Sequence, residues 1–174
     1  MQSPFVILVD TRESMPWTFS NIPGLKNQGE IVVKTEWQCL GNKLGDYTIK
    51  GAESPSTGWR ISIERKAIND LYSTILSRRL DFEVELECLN DMEYSAVVVE
   101  APLEKVITYS PEYWKEMEFT PDQQISKRRI VVGSIQAWQL RYPNVRWWFL
   151  SRKYAEIWVY RLLYRFWEDR MKGN

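Results

Sequence analysis

The chain has 174 residues, 44% apolar and 26% charged, which suits one globular domain with a substantial core. Its 23 basic and 23 acidic side chains cancel, so no overall field draws it onto nucleic acid, and any such binding must use local patches. Histidine is absent, which excludes Ser-His-Asp and Cys-His catalysis, His-ligated zinc and nucleases with a His base; hydrolytic chemistry would fall to carboxylates, lysine and a hard cation.

Phe5 to Val9 is a continuous apolar run that predicts a strand buried on both faces, ended by Asp10-Thr11-Arg12-Glu13. Pro16 to Gly29 reads as loop, with Pro23-Gly24 as a turn signal, and Ile31 to Leu40 as a second strand. Leu44 to Lys50 and Trp59 to Lys66 read as the arms of a β-hairpin joined by a loop centred on Pro55. In the second arm Trp59, Ile61 and Ile63 share one face; Arg60, Ser62, Glu64 and Lys66 share the other.

Helical spacing follows from Ile68 to Leu76, and Asp81 is placed to cap a second helix with Phe82, Leu86 and Leu89 in one stripe. Tyr94 to Glu100 reads as another buried strand, closed by Pro102. Residues 103–119 lack clean periodicity and read as an insertion, serving either packing or contact through Tyr109, Tyr113 and Trp114. Thr120-Pro121-Asp122-Gln123 predicts a capping box opening a helix to Arg141, ahead of Pro143. Val145 to Leu150 then reads as a strand, with one ring of Trp147-Trp148 in each packing layer, and Lys153 to Met171 as a terminal helix. Strands alternating with helices predict one α/β domain of three layers, spanning 1–174, around a mixed sheet.

Charge is uneven along the chain. Asp81 to Glu118 leans acidic, whereas Ser126 to Lys172 is rich in Arg and Lys. Lys127-Arg128-Arg129 and the terminal helix, with Trp158, Tyr160, Arg161, Tyr164, Arg165 and Trp167, admit three readings. These are nucleic-acid contact, a core stripe with solvated arginines, and a subunit interface. Cys39 and Cys88 match no metal spacing and read as two buried, reduced thiols. No window reaches transmembrane length, so the expected location is cytoplasmic, or nuclear in a eukaryote, with no membrane partner.

The hairpin carries the chemistry. A loop centred on Pro55 sets position 46 opposite position 64, which brings two carboxylates to about 5 Å, an unfavourable distance unless a cation lies between them. Oxygen ligands suit Mg²⁺ or Mn²⁺. Lys66 shares a face with Glu64 and is placed to orient or help deprotonate a water, or to stabilise charge on a phosphate. Arg65 faces the other way, leaving its carbonyl as a further ligand, and Asp10 is a candidate third acid.

Gly45-Asp46, then Glu64-Arg65-Lys66 and, three residues on, Asp70 reproduce an ordered signature: G-D, a gap, E-R-K, three residues, D. In this the chain resembles the XPF family of structure-specific nucleases. Val9-Asp10-Thr11-Arg12-Glu13, Asp70-Leu71, Arg79 ahead of the second helix, and Val99-Glu100 extend the resemblance over most of the chain. It implies a restriction-endonuclease-like fold and Mg²⁺- or Mn²⁺-dependent hydrolysis of branched, flap or fork DNA in recombination, repair or viral genome processing. By motif position Asp46 and Glu64 bind metal with Asp10 in support, and Lys66 serves the nucleophile. Arg12, Glu13, Arg65 and Asp70 brace the site or hold phosphate, and Arg79 stands with the substrate-binding positions. The tandem helix-hairpin-helix region and the helicase region common in the family have no counterpart, so the chain reads as a stand-alone nuclease domain, paired as a homodimer or heterodimer. Two other readings stay open: a catalytically silent DNA-binding partner, and a sequence-specific restriction-like nuclease on the same fold.

Overall fold

The computed structural model describes residues 1–24, 29–41, 44–52 and 60–172. The Pro55-centred loop and Trp59 of the expected hairpin lie outside them. The opening apolar run forms β1 (Gln2–Asp10), buried continuously from Ile7 to Asp10. That burial needs a strand on each edge and a layer on each face. β3 (Glu30–Gln38) supplies one edge, parallel to β1, with Asp10 opposite Gln38. β2 (Ile22–Pro23), inside the segment expected to be loop, caps the outer side of β3.

β4 (Tyr47–Ile49) lies antiparallel on the other edge of β1 and pairs in turn with β5 (Ile61–Lys66), Tyr47 opposite Ile63. The Tyr47–Ile63 pair is the register read from the loop centre, and Asp46 and Glu64 are the residues next to it on their two strands. β4 is shorter than the expected arm because side chains take over the ladder bonds. The Gly45 N–H donates to the Ser62 hydroxyl at 2.7 Å, and the Asp46 carboxylate accepts from the Arg65 N–H at 2.7 Å. β6 (Tyr94–Val99) and β7 (Val145–Phe149) extend the sheet in parallel, giving the order β2-β3-β1-β4-β5-β6-β7.

The helices are α1 (Ile68–Ser77), α2 (Arg79–Asn90), α3 (Leu103–Thr108), α4 (Tyr113–Glu116), α5 (Pro121–Arg141) and α6 (Arg152–Lys172). The expected cap at Asp81 is corrected. α1 and α2 meet at the single residue Arg78, so α2 starts three residues earlier and Asp81 sits inside its first turn, where its charge still favours the helix dipole. The Thr120–Gln123 capping box forms, and α5 ends at Arg141 as its spacing predicts. Residues 103–119 hold α3 and α4, too short to show a periodicity, and their Val106 and Trp114 are buried.

Two cores flank the sheet. On one face Phe5, Ile7, Ile49, Ile63 and Val98 pack against Ala155, Val159 and Leu163 of α6. On the other, Val97, Val99 and Trp147 pack against Leu71, Leu86 and Trp138 from α1, α2 and α5. Trp147 and Trp148 divide between these layers. The expected burial of both thiols is corrected: Cys39, just past the end of β3, is exposed, and Cys88 on α2 is half-buried. In α6, Tyr160 is buried and stacks on Phe5 at 5.7 Å, while Arg161 and Arg165 are exposed, which is the core-stripe arrangement. Among the described residues no helix is long and apolar enough to cross a membrane.

Candidate active site

β1 ends, β4 begins and β5 ends at one place on the sheet, because β4 runs antiparallel to both neighbours. The Asp10 N–H donates to the Asp46 carbonyl at 2.8 Å, locking two of these strand ends together. A hollow of about 330 Å³ opens there, lined among others by Arg12, Glu13, Asp46, Glu64, Lys66 and Asp70. Gly45 makes the approach possible. A methyl group in place of its hydrogen would lie 2.6 Å from the Ile63 carbonyl oxygen, so no larger residue fits without parting the strands.

Electrostatics in the hollow are adverse to two anions. Burial pushes the Asp46 carboxyl well above the usual carboxylate range, and the charge of Glu64 adds to the shift. Burial also raises Glu64, and the Lys66 ammonium at 2.8 Å offsets only part of that. Lys66 itself is nearly buried, which by itself would lower its pKa. Glu64, Asp70 at 3.5 Å and Glu85 at 3.9 Å outweigh burial and raise it, so Lys66 stays an ammonium. Its charge also sits 4.6 Å above the Phe82 ring.

Asp10 joins this group through its backbone. Its carboxylate, 1% exposed, accepts from the N–H and Nε of Arg12 at 2.8 Å each and from the Leu40 N–H at 2.8 Å. Burial pushes Asp10 up, but those hydrogen bonds prevail and hold it below its ordinary value. The Arg12 guanidinium also donates to the Gly41 carbonyl at 2.7 Å, which ties β1 to the end of β3. Asp70, on the first turn of α1, accepts from Arg78 at 2.8 Å. Arg79 turns away toward α5, bonded to Glu83 and Ser134 with its guanidinium 4.9 Å over the Trp138 ring.

Arg65 leaves β5 on the opposite side from Glu64 and Lys66, as alternation requires. It lies between Glu13 at 3.2 Å and Glu100 at 2.7 Å, all three side chains 6–8% exposed. Glu100 has a sequence signal, the Val99-Glu100 match of the motif resemblance, and it follows Val99, which pairs with Lys66. Trp17, Tyr47, Glu85 and Arg152 also support the site, and none stands out by spacing.

Among the described residues no group of three or more Asp, Glu or Cys side chains is arranged to hold a metal ion. The arrangement is a pair, Asp46 and Glu64, whose charges are disfavoured by burial and by each other. Such a pair fits a small hard cation that keeps waters and takes substrate phosphate oxygens, and does not form a closed protein cage. This has a measurable consequence. A carboxyl raised by folding costs stability as pH climbs from the ordinary carboxylate range through the raised value, and the full cost persists above it. Asp10, lowered, acts at the acid end: its contribution is present above its ordinary value and lost as pH falls. Thermal melts with saturating Mg²⁺ should therefore show a rise of about 5 °C at neutral pH that shrinks as Asp46 and Glu64 protonate. A Mg²⁺ effect independent of pH, or unchanged in Asp46→Asn, would rule out this pair as the cation site.

No protein-family model matches the sequence, and no curated protein matches it. Its three-dimensional arrangement, a mixed sheet flanked by helices with carboxylates at converging strand ends, is restriction-endonuclease-like. The chain is similar to the structure described as XPF from Aeropyrum pernix in complex with DNA, with a TM-score of 0.56 and 22% identity over 95% of this chain. A second structure, XPF from Aeropyrum pernix, gives a TM-score of 0.57 and 22% identity over 92% of this chain. The chain spans 66% and 60% of the lengths of these two. At this identity the likeness establishes the fold, which is the one the motif resemblance implies.

Proposed function

We propose that this chain is a metal-dependent DNA endonuclease that hydrolyses phosphodiester bonds at branched, flap or fork DNA, with Asp46, Glu64 and Lys66 as its reacting centre. One observation carries the reading: the hairpin register brings Asp46 and Glu64 together in one hollow with an ammonium beside them. The similar Aeropyrum pernix structure is a complex with DNA, which supports a DNA substrate.

Asp46 and Glu64 would hold Mg²⁺ or Mn²⁺. A cation bound there supplies polarisation of a phosphoryl oxygen and acidification of water. The protein's own groups do the rest. Lys66, kept protonated by three carboxylates, is suited to neutralise charge on the phosphate and to orient a water, and is not suited to remove a proton. Arg12, at the rim, is placed to meet a neighbouring phosphate. Glu13 and Arg65 brace the back of the site, Asp70 steadies Lys66, and Asp10 fixes the end of β1 against Asp46. Pairing of two such domains belongs to the same reading, and light scattering of the purified chain decides it.

The test is a panel of labelled fork, flap, duplex and single-stranded DNA of one sequence, incubated with Mg²⁺, Mn²⁺ or chelator. Nicks confined to the branched substrates, and absent in chelator, are the expected result. Discrete fragments from plasmid would instead identify a sequence-specific enzyme. Binding without cleavage in every metal would identify a silent partner.

A further inference from the structure

The lining of the hollow includes Met15, an apolar side chain 63% exposed among charged neighbours. Single exposed apolar residues are ordinary, but this one stands on backbone held from several directions. Its N–H donates to the Glu13 carboxylate at 2.7 Å. The Met15 and Pro16 carbonyls accept from the Arg152 guanidinium at 3.0 and 2.8 Å. Next along the chain, the Trp17 N–H donates to the Tyr47 hydroxyl at 2.9 Å and its indole N–H to Glu100 at 2.7 Å. Trp17 stacks on Tyr47 with ring centroids 4.7 Å apart. Arg152 donates to Glu100 at 2.9 Å, Glu100 accepts from Arg65 at 2.7 Å, and Arg65 returns to Glu13, closing a ring of charges behind the segment.

Two members of this clamp are sequence neighbours of the reacting carboxylates: Tyr47 follows Asp46, and Arg65 follows Glu64. The clamp therefore sets the position of Met15 relative to the place where a phosphate would sit. A thioether offers nothing to a phosphate or a sugar hydroxyl. Its polarisable apolar surface suits the face of a nucleobase, and methionine is among the side chains that proteins insert between base steps. Insertion into continuous duplex costs unstacking, whereas at a branch the stack is already broken.

We propose that Met15 is an apolar wedge that seats against an unstacked base beside the scissile phosphate, selecting branched over continuous DNA, and that Arg152 and Glu100 are positioning residues for it. This rests on the nuclease reading above. The test compares wild type, Met15→Ala, Met15→Leu and Arg152→Ala on a fork and a duplex of the same sequence, scoring the ratio of kcat/KM values. A 2-aminopurine at the junction reports unstacking in chelator, where DNA is bound and not cut. Met15→Ala should lower the fork-to-duplex ratio about tenfold, the scale of one methionine's burial, and remove the fluorescence rise. Met15→Leu should keep both, and Arg152→Ala, which leaves the thioether but frees its backbone, should lose both. An unchanged ratio and signal in Met15→Ala, or equal losses on fork and duplex, would overturn the wedge while leaving the nuclease reading intact. A wild-type protein that cuts none of these substrates overturns both.

Discussion

Asp46→Asn should lose DNA cleavage by about a thousandfold or more, since in the proposed mechanism it removes an anionic cation ligand worth several kcal/mol of transition-state stabilisation. The fold should survive. Asparagine keeps an oxygen able to accept the Arg65 N–H, which Asp46 receives at 2.7 Å. It also removes a charge that burial and Glu64 both oppose. Melting temperature should therefore stay level or rise while activity disappears, the opposite of what a merely structural acid would show. Glu64→Gln should behave alike in activity, with Lys66 still held by Asp70 and Glu85. The measurement is single-turnover cleavage of a fork in Mg²⁺ beside a thermal melt. Wild-type rates in either variant would end the assignment.

The second large effect is expected at a residue with no side chain. In Gly45→Ala the added methyl meets the backbone of Ile63 and Glu64, at 2.6 Å from the Ile63 oxygen, and backbone cannot swing aside as a flexible side chain would. The start of β4 must retreat from β5, carrying Asp46 with it. A displacement near 1 Å in a reacting group costs about a hundredfold in rate, and overpacking of this kind costs about 1–3 kcal/mol of stability. Cleavage should fall about a hundredfold with a lowered melting temperature, and urea titration measures the second quantity. A fully active Gly45→Ala protein would show that the two strands do not need this close approach.

Much of the layout of the candidate site was legible in the sequence, for a reason particular to hairpins. Loop centre and period-2 alternation together set register and face, which brings Asp46 near Glu64 and Lys66, while the ordered motif singled the set out. Capping chemistry did the same for α5, whose start is encoded within four consecutive residues. The second helix was less well placed. Asp81 is a strong capping residue, but the tight junction at Arg78 starts α2 before it.

The residues behind the site were a different matter. Glu100 meets Arg65 across 35 residues and Arg152 across 52, and Arg152 reaches the Met15 carbonyl across 137. No local period carries such pairings, because they exist only once the strand order juxtaposes the ends of β1, β5 and β6. The protonation of Lys66 was equally illegible. Burial alone would lower it, and only the simultaneous nearness of Glu64, Asp70 and Glu85 reverses that sign.

By itself, then, the amino-acid order determined what is local: which side chains share a strand face, where helices are capped, and that an acid pair with a lysine forms on one hairpin. Tertiary structure alone decided which acids stay available and which are spent. It binds both oxygens of Asp10 to Arg12 and Leu40, encloses Arg65 between Glu13 and Glu100, and leaves Asp46 and Glu64 facing a hollow. A carboxylate's role depends on its donors and its burial, and both are properties of how distant segments meet.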